Sequence, residues 1–441
     1  MDDGSPAYAP LALDWDTEAV AERRRRFLSP ALATFIGYDD PVVWQRGSGQ
    51  YVWDNHGRRH LDCMAQNVCI SVGHAHPGVL AAAREQMEQL PHVTTAYHHP
   101  QPGHFAEELI ATLPEGQDWV AHFVNSGAEA VDLAVLIARA HTQSFELLAL
   151  RDAYHGMHYG AQTATGIGQA RQLVPPAPGY VQVMGPHPYR GPFGPDAQPY
   201  LEELERVLHT NTCGAVAGFI AEPIQGYGGI VELPEGYLRG AAEQVRAAGG
   251  LLIVDEVQTG FARTGSHFWG FEAHDVVPDV IVMSKGIGNG FPIAAVVTRR
   301  EVAEGMAARM FFNTYGSNPT CCAAGRAVLR AIAGEGLQAN AAHVGGLILD
   351  GLRTLQTAYP RLGDVRGRGL LIGAEIVADP ETRAADAAGA ERVQLALLER
   401  GVVVGLCGRE HNVVKINPPL CVTTEDAAGL LRAMDEALAA L

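Results

Sequence analysis

The sequence contains no run of about 18 consecutive apolar residues, so no membrane-spanning helix is expected. Its first thirty residues lack the apolar stretch of a secretory signal and carry charges and prolines instead. Positive charge is scarce: 32 Lys and Arg against 49 Asp and Glu leave a formal net charge of −17. Such a surface repels nucleic-acid phosphates and anionic lipid, so neither is an expected partner. The exception, Arg23-Arg24-Arg25-Arg26, is read as the solvated face of an N-terminal helix rather than as a targeting or phosphate-binding patch. Cysteines number seven, with no C-x-x-C spacing, and the adjacent Cys321 and Cys322 suit neither a metal site nor a simple disulfide. All seven are therefore expected to be reduced thiols in a cytoplasmic protein, and no metal site is expected. Internal repeats and low-complexity tracts are also missing.

What the chain does have is length and apolar content: 441 residues, 47% of them hydrophobic. Single cores rarely grow past about 250–300 residues, so two domains are expected. Residues 42–72 hold short alternating runs broken by turn residues such as the DNHG of 54–57, which predicts a small antiparallel sheet. From about 103 to 320, short apolar runs alternate with helical stretches. The runs are 121–125, 145–150, 217–223, 251–257, 280–286 and 293–298. They lack polar alternation, as strands covered on both faces do, and predict an α/β domain with a mostly parallel sheet flanked by helices. After about 325 come a long Ala-rich helix, a strand at 369–377, a helix at 388–400, strand-like runs at 401–406 and 413–420 and a terminal helix. These predict a smaller α+β domain completed by the N-terminal sheet. The expected division is 1–75 as N-terminal segment and small-domain part, 76–325 as the large domain, and 326–441 as the C-terminal small domain.

In open parallel sheets, ligands bind at the carboxyl ends of the strands. Those ends read Asn125-Ser126-Gly127-Ala128, Tyr154-His155-Gly156, Glu222-Pro223, Asp255-Glu256-Val257-Gln258 and Ser284-Lys285-Gly286. Ser126-Gly127-Ala128 suits a close backbone approach to an anion at a helix N-terminus, or an ordinary helix start capped by Ser126. Asp255, after the apolar LLIV, needs a buried partner: a salt bridge, a cap, or a cationic ring nitrogen. Lys285 follows VIVM and Ser284, where lysine is seldom buried unpaired. Desolvation there lowers its pKa and makes the amine nucleophilic, which suits imine formation. Tyr154 is either a core aromatic or a face for a planar ring.

The chain resembles the class III aminotransferases, of fold type I among pyridoxal-phosphate enzymes. The resemblance runs from about residue 42 to the end. It rests on GHAHP (73–77), NSGAEA (125–130), AYHG (153–156), AEPIQG (221–226), DEVQTGFARTG (255–265), SKGIGNGFP (284–292) and TYGSNP (314–319). The resemblance implies that Lys285 holds the cofactor as a Schiff base and moves the proton in catalysis. It implies that Asp255 pairs with the pyridine nitrogen, Gln258 with the ring hydroxyl, and that Val257 and Tyr154 cover the two ring faces, with His155 beside Tyr154. Ser126, Gly127 and Ala128 are implied to bind the phosphate, and Thr314 the phosphate of a neighbouring subunit. The active unit is then a homodimer with shared sites, pairing into tetramers left open. Glu222 is expected near the substrate, which comprises a small amino donor and a 2-oxo acid acceptor. Residues 265–298 and the PYRGPFG of 188–194 are most similar to mitochondrial-type alanine–glyoxylate aminotransferases.

One motif departs from the pattern. Many relatives carry an arginine before PPL that binds the substrate carboxylate, whereas VVKINPPLCVT (413–423) has Lys415 at that place. Lysine lacks the bidentate fork. It is expected either to offer a point charge or to pair with Glu222. The same K-x-x-P-P pattern resembles the ethanolamine-phosphate phospho-lyases, which makes phosphate elimination the alternative reaction. A non-catalytic cofactor-binding regulator is argued against by the intact Lys285, Asp255 and phosphate motif.

Overall fold

A computed structural model describes residues 11–32, 38, 40–172 and 174–441. Its centre is a seven-stranded sheet. In spatial order the strands are Trp119–Val124, Ala294–Arg299, Val280–Met283, Leu251–Asp255, Gly218–Ala221, Leu147–Leu150 and Tyr180–Val183. Ala294–Arg299 is antiparallel to both its neighbours, and every other pairing is parallel. The family's fold type I architecture, an α/β fold with a mostly parallel sheet, is thus present.

The apolar runs are explained by how the sheet is covered. Ile281 and Met283 enter one buried cluster while Val280 and Val282 enter the other, and Leu252 and Val254 alternate in the same way with Leu251 and Ile253. Successive strand side chains point to opposite faces, so a sheet covered on both sides needs every position apolar. Helix Gly127–Thr142 supplies Ala130, Val131, Ala134, Ile137 and Ala138 to one of these faces. Besides three two-residue strands, two longer ones among the described residues escaped the sequence reading. Tyr180–Val183 is an edge strand whose first three residues are only half-buried. Leu362–Arg368 contains Asp364, Arg366 and two glycines and pairs with Leu371–Asp379.

The N-terminal strands Trp44–Ser48, Tyr51–Asp54 and Arg59–Asp62 form an antiparallel meander, with a turn closed by Gly57 N donating to Asp54 O. Val402–Val403 extends this sheet in parallel beside Leu61 and Asp62. The run expected as one strand over 401–406 is therefore divided: Val402–Val403 goes to the N-terminal sheet, while Gly405–Cys407 pairs with Val413–Ile416. Gln50 Nε2 also donates to Asp426 at 2.6 Å, tying the meander to the C-terminal helix Thr424–Ala439.

The arginine run lies on helix Thr17–Phe27, which buries no residue, as expected of a solvated face. Residues 1–10 of the expected lead-in lie outside the described residues. Among the described residues no helix is long and apolar enough to cross a membrane. All seven cysteines are free.

A feature with no counterpart in the pattern reading follows the meander. Ala65, Gln66, Asn67 and Val68 have φ of 48°, 48°, 64° and 67°, four consecutive non-glycine residues in the left-handed region. Each costs about 1–2 kcal/mol there. Buried Asp62 holds the turn by accepting from Met64 N at 3.0 Å and Gln66 Nε2 at 3.2 Å. The chain leaves this turn towards the loop that carries Lys285.

Candidate active site

Five strand ends converge on one rim, where a cavity of about 370 Å³ opens. Ser126, Gly127 and Ala128 line it from the start of the first sheet-covering helix; Tyr154 and His155 follow strand Leu147–Leu150. Glu222, Asp255, Val257, Gln258 and Lys285 complete the expected set on its wall. Two expected residues are absent from the lining: Lys415 is buried behind it, and Thr314 is exposed outside it. Gly156, Met157, His158 and Ser284 also line it; Met157 and His158 were not anticipated. Their signal was adjacency to the AYHG motif.

Lys285 has a φ of 50°, a left-handed conformation that costs about 1–3 kcal/mol for a side-chain-bearing residue. Its neighbours hold it there. Ser71 Oγ donates to Gly286 O at 2.7 Å, and the Asn289 side chain bridges Val72 N and Gly73 O. Burial lowers the pKa of Lys285, favouring the neutral amine.

Asp255 receives two hydrogen bonds. His155 Nδ1 lies 2.8 Å from Oδ2, and Val257 N donates to Oδ1 at 3.0 Å. The backbone that carries the imidazole is itself fixed, since the His155 amide donates to Thr165 Oγ1 at 3.0 Å, while the buried ring Nε2 has no partner among the described residues.

Glu222 is committed to backbone groups. Oε1 accepts from Tyr154 N at 3.0 Å and Oε2 from Gly226 N at 2.9 Å. Burial, with Asp255 adding to it, raises its pKa to about 7. The carboxyl therefore sets the position of Tyr154, whose ring packs against Tyr227 at 5.4 Å. A Glu222–Lys415 pair was one sequence expectation, and the structure does not form it. Lys415 Nζ instead donates to Gln258 Oε1 at 2.7 Å.

Residues 37–438 match the family described as Aminotransferase class-III. The chain belongs to that family. It is 43% identical over 418 residues to an Arabidopsis thaliana protein named alanine–glyoxylate aminotransferase 2 homolog 2, mitochondrial, covering 95% of this chain and 87% of that one. Among solved structures it is similar to an Arthrobacter phospholyase in complex with phosphoethanolamine: 34% identity, TM-score 0.87, 96% of this chain and 100% of that one. An amine transaminase from an uncultivated Pseudomonas species in its PLP-bound form aligns with 30% identity and a TM-score of 0.88, over 94% and 98% of the two chains.

This class-III aminotransferase uses pyridoxal phosphate, and the site fits that group. The Gly127 and Ala128 amides sit in the first turn of a 16-residue helix, where no preceding carbonyl takes them, so they are free to hold a phosphate. Buried Asp255 offers a carboxylate to a protonated ring nitrogen, and Lys285 an amine to the aldehyde carbon.

Close packing keeps the phosphate end in place. Gly156 has a φ of 129°, and a Cβ there would lie 2.8 Å from Ala128 Cβ. Gly156→Ala is expected to push Ala128 and the helix start out of line and weaken cofactor binding at least about tenfold, from overpacking alone. Cofactor release during dialysis, followed by absorbance, measures this. Retention equal to the parent enzyme would show that the contact relaxes without moving the helix.

Proposed function

We propose that this aminotransferase takes the amino group of L-alanine or a related amine and passes it to glyoxylate or pyruvate. Half-buried Lys285, lining one cavity with the hydrogen-bonded Asp255–His155 pair, carries the reading. The 43% identity to a protein named as an alanine–glyoxylate aminotransferase supports the choice of partners.

Bound pyridoxal phosphate supplies an electron sink through its protonated ring. Lys285 would hold the cofactor through its amine and, once released by the substrate amine, would be the base that takes the proton from the substrate Cα. The lysine ammonium so formed would then hand the proton back, and an incoming oxo acid would reverse the sequence. Asp255 keeps the ring nitrogen protonated, with His155 holding its carboxylate in place. Val257 and Tyr154 would cover the ring, Gln258 would serve the ring hydroxyl, and Ser126, Gly127 and Ala128 would hold the phosphate; all of them line the cavity. Thr314 reaches the phosphate of a second subunit in a homodimer. The exposed Met310, Phe311, Phe312 and Tyr315 beside it support self-association at that segment. Seven free cysteines suit a reducing compartment such as the cytoplasm.

An absorbance titration of the holoenzyme tests the reading. L-alanine is expected to change the bound cofactor's band, and glyoxylate to restore it. A band unmoved by alanine removes alanine as the donor. Turnover of phosphoethanolamine without any oxo acid would favour elimination instead.

A further inference from the structure

Lys415 stands where many relatives place a carboxylate-binding arginine, yet its surroundings describe a different task. It lies on strand Val413–Ile416, and its partners on both neighbouring strands are glycines, Gly373 and Gly405. A Cβ at Gly405 would lie 3.8 Å from Lys415 Cβ, and the lysine side chain runs inward, where it is 4% exposed. Its ammonium ends 2.7 Å from Gln258 Oε1. Gln258 lines the cavity and Lys415 does not. To reach a substrate, Lys415 would have to break this bond and swing around the amide.

The chemistry of the pair fixes a direction. An ammonium only donates hydrogen bonds, so the atom facing it must be the amide oxygen. The oxygen and nitrogen of a glutamine are otherwise interchangeable in outline, and here the partner decides between them. Gln258 Nε2 is left to point away from Lys415. Gly226 makes room for the amide as a whole, since a Cβ at that position would lie 2.4 Å from Gln258 Nε2 and 2.7 Å from its Oε1. With its oxygen engaged by Lys415, Gln258 has the two Nε2 protons left to offer a ligand in the cavity. A donor stabilises a ring oxygen as an anion.

We infer that Lys415 is a positioning residue that locks Gln258 as a hydrogen-bond donor to the cofactor's ring oxygen, and that it is not a clamp for the substrate carboxylate. The inference rests on the reading that Gln258 faces that oxygen. The charged groups around Lys415 are Lys285, Glu222 and Arg263, with the thiol of Cys407. Burial, then the charge of Lys285, hold its pKa down to about 8, so it is mostly protonated at neutral pH.

The test compares holoenzyme variants by pH titration of the bound cofactor's visible absorption and by steady-state kinetics with L-alanine. In Lys415→Met the apparent pKa of the absorption is expected to rise by about one pH unit, because the ring anion loses its oriented donor. Gln258→Ala is expected to shift it the same way, and the double variant no further than the larger single shift. For Lys415→Met, kcat should fall about 10- to 100-fold with little change in KM. Lys415→Arg keeps a donor-only head and should retain the parent spectrum, whereas Lys415→Gln fits in either sense and should lose it. That pair decides the matter should Lys415→Met not fold. A raised KM for alanine with an unchanged spectrum in Lys415→Met overturns the inference and restores the clamp. If Gln258→Ala shifts the spectrum and no Lys415 variant does, the inference fails alone. If Gln258→Ala leaves the spectrum unmoved, the placement of Gln258 fails and takes the inference with it.

Discussion

Lys285→Ala is expected to reduce turnover by more than about 10⁴-fold, since one substitution removes both the covalent attachment and the base. The loop around it should keep its shape. Ser71 and Asn289 hold Gly286 O, Val72 N and Gly73 O, and none of these bonds uses the lysine side chain. Unfolding temperature should therefore stay near that of the parent while activity vanishes. Lys285→Arg should be equally inactive, because a guanidinium does not give up its proton in a protein and cannot act as the free base. Steady-state rates with alanine and glyoxylate, together with a thermal melt, check both variants. More than about a tenth of parent activity in either would remove Lys285 from the centre of the mechanism.

Asp255→Ala carries the second largest effect. The side chain accepts from His155 Nδ1 and Val257 N inside the protein, so truncation strands a buried imidazole and a buried amide. Stranding such a buried polar group costs about 1–3 kcal/mol, and kcat should fall by about 10²- to 10³-fold as the ring nitrogen loses its counter-charge. Asp255→Asn separates the two contributions. It has the same shape and can still accept from Val257 N, so most of the stability should return. It has no charge to hold a proton on the ring, so most of the loss in kcat should remain. Rapid kinetics and denaturant unfolding of both variants measure the split. Full kcat in Asp255→Asn would show that geometry, and not charge, is what the ring nitrogen requires.

The parts of this fold that were legible beforehand share one physical property: burial on both faces. LLIVD at 251–255 and VIVM at 280–283 read as strands because each of their positions is buried. The predicted runs overshot the strands at their carboxyl ends, at 257 and 286, because the residues that bear the chemistry lie just past the last ladder bond. Tyr180–Val183 was illegible because an edge strand is covered less, and Leu362–Arg368 because its polar residues pair with one another and with the adjacent strand. Arg366, for instance, pairs with Glu375 and Asp364 at 2.7 Å. The left-handed turn at 65–68 leaves no compositional mark, since AQNV contains no glycine. In the site, the residue types were legible and their partners were not. Glu222 and Lys415 were identified as site residues, but only coordinates show that the first holds backbone amides and the second an amide side chain.

Pairing of the amino-terminal meander with residues near the carboxyl end also bears on how the protein is made. Gln50 and its acceptor Asp426 are 376 residues apart in sequence. At about 5–20 residues per second, a ribosome needs roughly 20–75 s to bring the second into existence after the first. For most of that time, until Val402–Val403 is made, the meander has no partner for its edge at Arg59–Asp62. An open strand edge of this kind recruits other chains. Slowed elongation should therefore raise the demand for chaperones that shield nascent chains, and co-expression of such chaperones should raise the soluble yield.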